Sequence, residues 1–193
     1  MKDLELKLLL LVLLFIVGQK IYSKIVTSQQ NHQNQGLKQY QPTREEKKTK
    51  IYAESGKYQF LKEQIENNVV SINMMNSNRN NLLAILIKSR VQSNNIDENS
   101  YIDIIKFVLK KGGDVNQKDI NGQSPFYFAC VRAQLQIIDL LIKNNADVNQ
   151  ITTDSIKIFT KSPLLGVLLY TKKQWFEVSK KLIDNNASLE LVR

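Results

Sequence analysis

Apolar residues in the second half of the chain recur at helical spacing in paired bursts, and the pairs close on similar polar strings. Ile137, Ile138, Leu140 and Leu141 keep to one helical face, and that run ends in NNADVNQ at 144–150. One unit earlier, YIDIIKFVLKK carries the same pattern and runs into GGDVNQ at 112–117. Gly112 and the pair Asn144-Asn145 suit the left-handed backbone that ends a helix. The two strings therefore read as the same exit from a helix into the same extended turn. Upstream of the NNADVNQ helix, Asp119 to Gly122 read as a turn, Ser124 as an N-cap and Pro125 as the first helical residue. Phe126, Ala129 and Cys130 then give a helix one apolar face, too short to be stable alone.

Looser copies flank this unit. NNLLAILIKSR and YIDIIKFVLKKGGDVN supply a helix pair with Asn80 as the cap and a polar insertion, VQSNNIDENS, between them. SPLLGVLLYTKK and WFEVSKKLIDNNASLE repeat the arrangement, with Ser162-Pro163 as the helix start after an enlarged turn, ITTDSIKIFTK. AESGKYQFLKEQIENN supplies the end of a first helix and a whole second helix, and TREE at 43–46 offers a capping box for an atypical leading helix. Each pair exposes an apolar face that only a neighbouring pair can cover, so stability must come from stacking. The fold class is all-α: a solenoid of helix-turn-helix units at about 43–75, 76–118, 119–150 and 151–193, joined by long turns.

The pattern ahead of these units is different. Leu8 to Val17 is nearly pure apolar after an opening that holds Lys2, Lys7, Asp3 and Glu5. A run of this length matches the roughly 7–15 residues of a secretory signal core and falls short of the ~18 of a spanning helix. Residues 1–23 are read as a signal peptide, with Gly18 and Ser23 small enough to end a cleavage site. An uncleaved membrane anchor over 8–26 and a buried helix stay open beside it. Residues 24–42 are a polar linker rich in Gln and Asn, where the single histidine, His32, reads as an ordinary exposed side chain.

Composition removes chemistry more than it adds any. One histidine and one cysteine leave no intramolecular disulfide, no thiolate cluster and no room for most zinc sites or Ser-His and Cys-His catalysis. No glycine-rich phosphate loop or metal spacing appears, and Asp97-Glu98 lie in a polar insertion without a convergent partner. The expectation is a non-catalytic protein without cofactor or metal. The formal charge of +9 favours acidic partners, anionic surfaces or solubility without choosing among them.

The unit at 119–150 resembles an ankyrin repeat. Asp119, Gly122, Ser124, Pro125, Phe126, Ala129, Ile137, Ile138, Leu140, Leu141, Ala146, Asp147, Val148 and Asn149 fall on that family's pattern. It departs at Tyr127, which takes the usual histidine position, and at Ala133 and Asn145, which replace glycines. Cys130 stands where the family places alanine and reads as a small buried residue. The resemblance, which extends to small exported bacterial members, implies turns that project as fingers and, with the first helices, line a concave binding surface. Carried onto this chain, that surface comprises Asn76, Ser77, Arg79 and Lys88, then Ile120, Asn121, Gln123 and Arg132, then Ile158, Phe159, Lys161 and Tyr170. Arg79 and Lys161 are expected to flank Gln123 on the fingers, and Lys88 and Arg132 to hold equivalent positions in a first-helix row that Tyr170 completes. Such a strip suits a protein partner with an acidic contact face, with Phe159 and Tyr170 as anchors. The enlarged turn at 151–161 is a further candidate contact, and Trp175 reads as packing.

The resulting expectation is a monomeric protein-binding module, periplasmic or secreted, acting as an inhibitor or immunity-type partner. Alternatives are a membrane-anchored adaptor and a basic module on an anionic surface; nucleic acid is not expected.

Overall fold

The computed structural model describes residues 43–90, 97–153, 160–171 and 173–188. The segments read as signal or anchor (1–23) and linker (24–42) lie outside the described residues, as do 91–96 of the polar insertion. The described residues form eight helices in four pairs. They are α1 (Arg44–Glu54) with α2 (Tyr58–Glu66), α3 (Leu82–Ser89) with α4 (Glu98–Lys110), α5 (Pro125–Val131) with α6 (Leu135–Lys143), and α7 (Pro163–Tyr170) with α8 (Trp175–Asp184). First helices pack on first helices in the order α1, α3, α5, α7, and α2, α4 and α6 form a second layer. The Lys181 ammonium, 2.6 Å from Asp139 Oδ1, ties α8 to α6. The core is one continuous seam between the layers, from Ala53, Leu61 and Leu83 through Ile104, Phe126 and Ile138 to Leu164 and Leu182.

The local signals explain the helix starts. Thr43 and Glu46 close a capping box at α1, and the Ser124 and Ser162 hydroxyls accept the Tyr127 and Leu165 N–H groups ahead of the prolines that begin α5 and α7. One cap differs from its sequence reading. Asn81, not Asn80, caps α3, its Oδ1 accepting the Ala84 N–H at 2.9 Å. The enlarged turn is also less irregular than expected, because its ends pair as β1 (Thr152–Thr153) and β2 (Thr160–Lys161), antiparallel.

The repeated strings occupy equal settings. Gly112 (φ 90°) and Asn145 (φ 62°) both turn left-handed at a helix exit, as do Asn68 and Asn186. Two residues past each exit an aspartate folds the loop, Asp114 Oδ1 accepting the Asn116 N–H and Asp147 Oδ1 the Asn149 N–H. The asparagines then reach into the next unit. Asn116 donates to the Asn145 carbonyl and accepts the Asp147 N–H, and Asn149 does the same with the Asn186 carbonyl and the Ser188 N–H. DVN recurs because each copy clips its loop to the following one.

Candidate functional site

The second and third units each open with a finger folded around one acceptor. Asn76 Oδ1 accepts the Asn78 and Asn80 N–H groups at 3.0 Å, and Asp119 Oδ1 accepts those of Asn121 and Gln123 at 2.8 and 2.9 Å. Neighbouring fingers are joined where the Ile120 N–H donates to the Asn78 carbonyl at 3.0 Å.

This geometry shifts the expected register by one residue. Asn76 corresponds to Asp119 and Asn81 to Ser124, so Arg79 takes the place of Gly122, and both are left-handed, φ 56° and 72°. Asn80, not Arg79, corresponds to Gln123. On the first helices Ser89, Arg132 and Tyr170 correspond, each eight residues after its N-cap, and Lys88 precedes that row. The two regular basic columns are therefore not formed: the one-residue error in the α3 cap had aligned them.

What forms instead is a cleft of about 430 Å³ between α1, the first finger and α3, closed on one side by Arg132. Of the expected residues it gathers Asn76, Ser77, Lys88 and Arg132. Ile120, Asn121 and Gln123 stand on the next finger and Tyr170 ends α7, apart from the cleft lining. Ile158 and Phe159 lie outside the described residues, and Lys161 is placed by its backbone in β2. The sequence reading missed Glu46, Lys47, Lys50 and Glu54 of α1, and Asn78, Asn80, Ile85 and Ser89 beside them. A signal for α1 was present: Thr49 and Ala53 are its buried stripe, and Lys47, Lys50 and Glu54 recur at helical spacing on the other side.

The charges in the cleft are unevenly committed. Lys88 Nζ donates to Asn80 Oδ1 at 2.9 Å, lies 3.9 Å over the Phe128 ring and 3.8 Å from the buried Asp119 carboxylate. Burial pulls this ammonium below the usual lysine value, and Asp119 opposes the shift. Arg132 Nη1 donates to the Lys88 carbonyl, and partial burial lowers the guanidinium's pKa. Glu54 is 3.7 Å from Lys50, and Glu46 Oε2 accepts the Thr43 N–H at 2.8 Å. Elsewhere, Cys130 is fully buried, and burial pushes its thiol well up, so it is a packing residue. Trp175 is half-buried and packs edge-on against Phe176.

Residues 50–152 match the family model for ankyrin repeats in three copies. The chain belongs to the ankyrin repeat family. It is 35% identical over 130 residues to an ankyrin repeat protein of fowlpox virus (strain NVSL), a stretch that covers 67% of this chain and 17% of the viral protein. It is also 32% identical over 94 residues to the 26S proteasome regulatory subunit p28 of Saccharomyces cerevisiae, covering 46% of this chain and 38% of the yeast protein. The chain thus spans well under half the length of either relative. Ankyrin repeats are protein–protein interaction modules, typically without catalysis, and this stack is one. Its regularity continues past the matched residues through α7 and α8.

Proposed function

We propose that the stack binds one partner protein in the cleft between α1, the first finger and α3, with the neighbouring finger tip, Ile120 and Asn121, as the rim of the contact. The observation that carries this reading is the cleft itself, whose side chains Lys47, Lys50, Asn78, Lys88 and Arg132 come from three successive units. Its cations suit an acidic contact face on the partner. The yeast relative's description as a proteasome regulatory subunit supports a protein partner in general. The apolar run Leu8–Val17 supports export, which makes a periplasmic or secreted monomer, neutralising another protein, the finer form of the proposal.

The test places a photo-crosslinking residue at Asn78 in the cleft or at Glu63 on α2, together with determination of the mature N-terminus. One extracytoplasmic protein captured from position 78 and not from 63 is the expected result. Capture from 63 alone refutes the cleft reading, and an intact N-terminus in the cytoplasm refutes export. The charge of +9 favours one rival, an anionic surface, which steeply salt-dependent binding to anionic vesicles without any protein partner would establish.

A further inference from the structure

Arg132, the residue that ends α5, reaches across the stack to the end of α3, where its Nη1 donates to the Lys88 carbonyl. A guanidinium carries five N–H donors in a planar fork. That single contact is its only side-chain hydrogen bond to the described residues, and none of their carboxylates lies within ion-pair distance. The nearby cation, Lys88, already has Asp119, Asn80 and the Phe128 ring for company. Arg132 is thus half taken from water with no counter-charge among the described residues, a state that costs free energy until a partner arrives. Arg132 is one of the residues that line the cleft.

We infer that Arg132 is the anchor of this cleft, receiving in its planar fork the carboxylate of an Asp or Glu side chain on the protein partner. The inference rests on the cleft being the partner site and adds the chemistry of the central contact. A carboxylate matches the fork's geometry with two parallel hydrogen bonds, which a lysine at this position could not offer. A phosphate dianion fits less well, because Glu46 and Glu54 line the same cleft and repel the larger charge. Beside Arg132, the Ser89 position and the Lys88 stem complete the wall with small polar and aliphatic surface.

The test pans a random peptide library against the full chain and measures the enriched peptides by calorimetry. The proteins compared are the wild type, Arg132→Gln, Arg132→Lys and Asn78→Trp, the last adding bulk to the cleft from the finger. Peptides in the cleft lose binding to Asn78→Trp. Among them a shared Asp or Glu is expected, and its amide replacement weakens binding by about tenfold or more. Arg132→Gln weakens the parent peptide by the same factor, and the two changes together cost no more than either alone. Arg132→Lys keeps the charge and recovers little of the loss. Cleft-bound peptides indifferent to both the amide replacement and Arg132→Gln overturn the carboxylate anchor while leaving the cleft reading intact. Peptides indifferent to Asn78→Trp overturn the cleft reading and the anchor with it. A dT oligonucleotide that binds wild type and not Arg132→Gln, with no peptide enriched, assigns the fork to phosphate and overturns the proposal. Should Arg132→Gln unfold, the amide replacement is compared between wild type and Arg132→Lys, and an equal loss on both overturns the anchor.

Discussion

At the helix exits, Asn116 and Asn149 make the same two bonds to the following loop, whereas on the first helices the corresponding positions hold Ser89, Arg132 and Tyr170. The exit loops repeat because each must fit its neighbour, and every neighbour offers the same carbonyl and the same N–H. In the first-helix row Ser89 is buried whereas Arg132 and Tyr170 are half-buried, so the three positions meet different surroundings and stacking does not fix one residue type there. In one fold, repetition marks what units do to each other, and its absence marks where the chain is free to recognise something else. Tyr127 sharpens the contrast from inside the seam. Its ring fills the space over Gly166, where an added Cβ would lie 2.6 Å from the ring, so a departure from the family pattern in one unit is matched by a glycine in the next.

The largest effect expected from this contrast is at that matched pair. Gly166→Val forces atoms against a buried ring and costs roughly 3 kcal/mol, at the upper end of overpacking penalties. Chemical denaturation measures it, and the same change in a Tyr127→Leu background costs less than half as much. Next comes the loop ladder. Asn116→Ala removes a donated and an accepted bond between units and lowers stability by about 2 kcal/mol. A loss within experimental error would show that the repeated string does not hold the stack together.

A smaller effect separates the buried seam from the surface by pH. Tyr58 is buried, its O–H has no hydrogen-bond partner among the described residues, and burial raises its pKa from 10.0 to about 12. The neighbouring Tyr101 is raised further, again by burial. The unfolded chain ionises these phenols first, so the Tyr58 contribution is complete below about pH 10 and is lost as pH climbs through about 12. Urea midpoints at pH 8 and pH 11 should fall accordingly, and Tyr58→Phe should shrink the difference without lowering stability at pH 8. Smaller still, Asn145→Gly relieves a left-handed residue and raises stability by roughly 0.5 kcal/mol. Last, Arg132→Gln shifts the thermal midpoint little, within about 0.5 kcal/mol, because it trades one hydrogen bond for relief of an unpaired charge. A large destabilisation there would return Arg132 to the structural side of the comparison.

Much of the stack was readable residue by residue. Ser124-Pro125 and Ser162-Pro163 marked helix starts because hydroxyl caps and proline act within a single turn. Thr43 and Glu46 marked α1 for the same reason. The candidate site was legible only in part. Asn80 and Asn81 are adjacent and chemically identical, and the choice between them depends on which one faces the Asp114 carbonyl of a loop 33 residues away. That choice moved Arg79 into a left-handed turn position and broke the expected basic columns. The role of α1 as a cleft wall was only half visible, because spacing put Lys47, Lys50 and Glu54 on one face but the atypical sequence gave no register against the neighbouring units.

By itself the sequence determined the unit, its helix starts and exits, the buried stripe and the family, since these rest on local sterics, capping and the period of apolar residues. Only the tertiary structure decided which side chains from three successive units share a cleft, and that among the described residues Lys88 has a carboxylate partner while Arg132 has none. Such contacts depend on distances of a few ångströms between residues 31 and 44 positions apart, the Lys88 ammonium with the Asp119 carboxylate and the Arg132 guanidinium with the Lys88 carbonyl, and those distances are set by packing rather than by any neighbour in the chain.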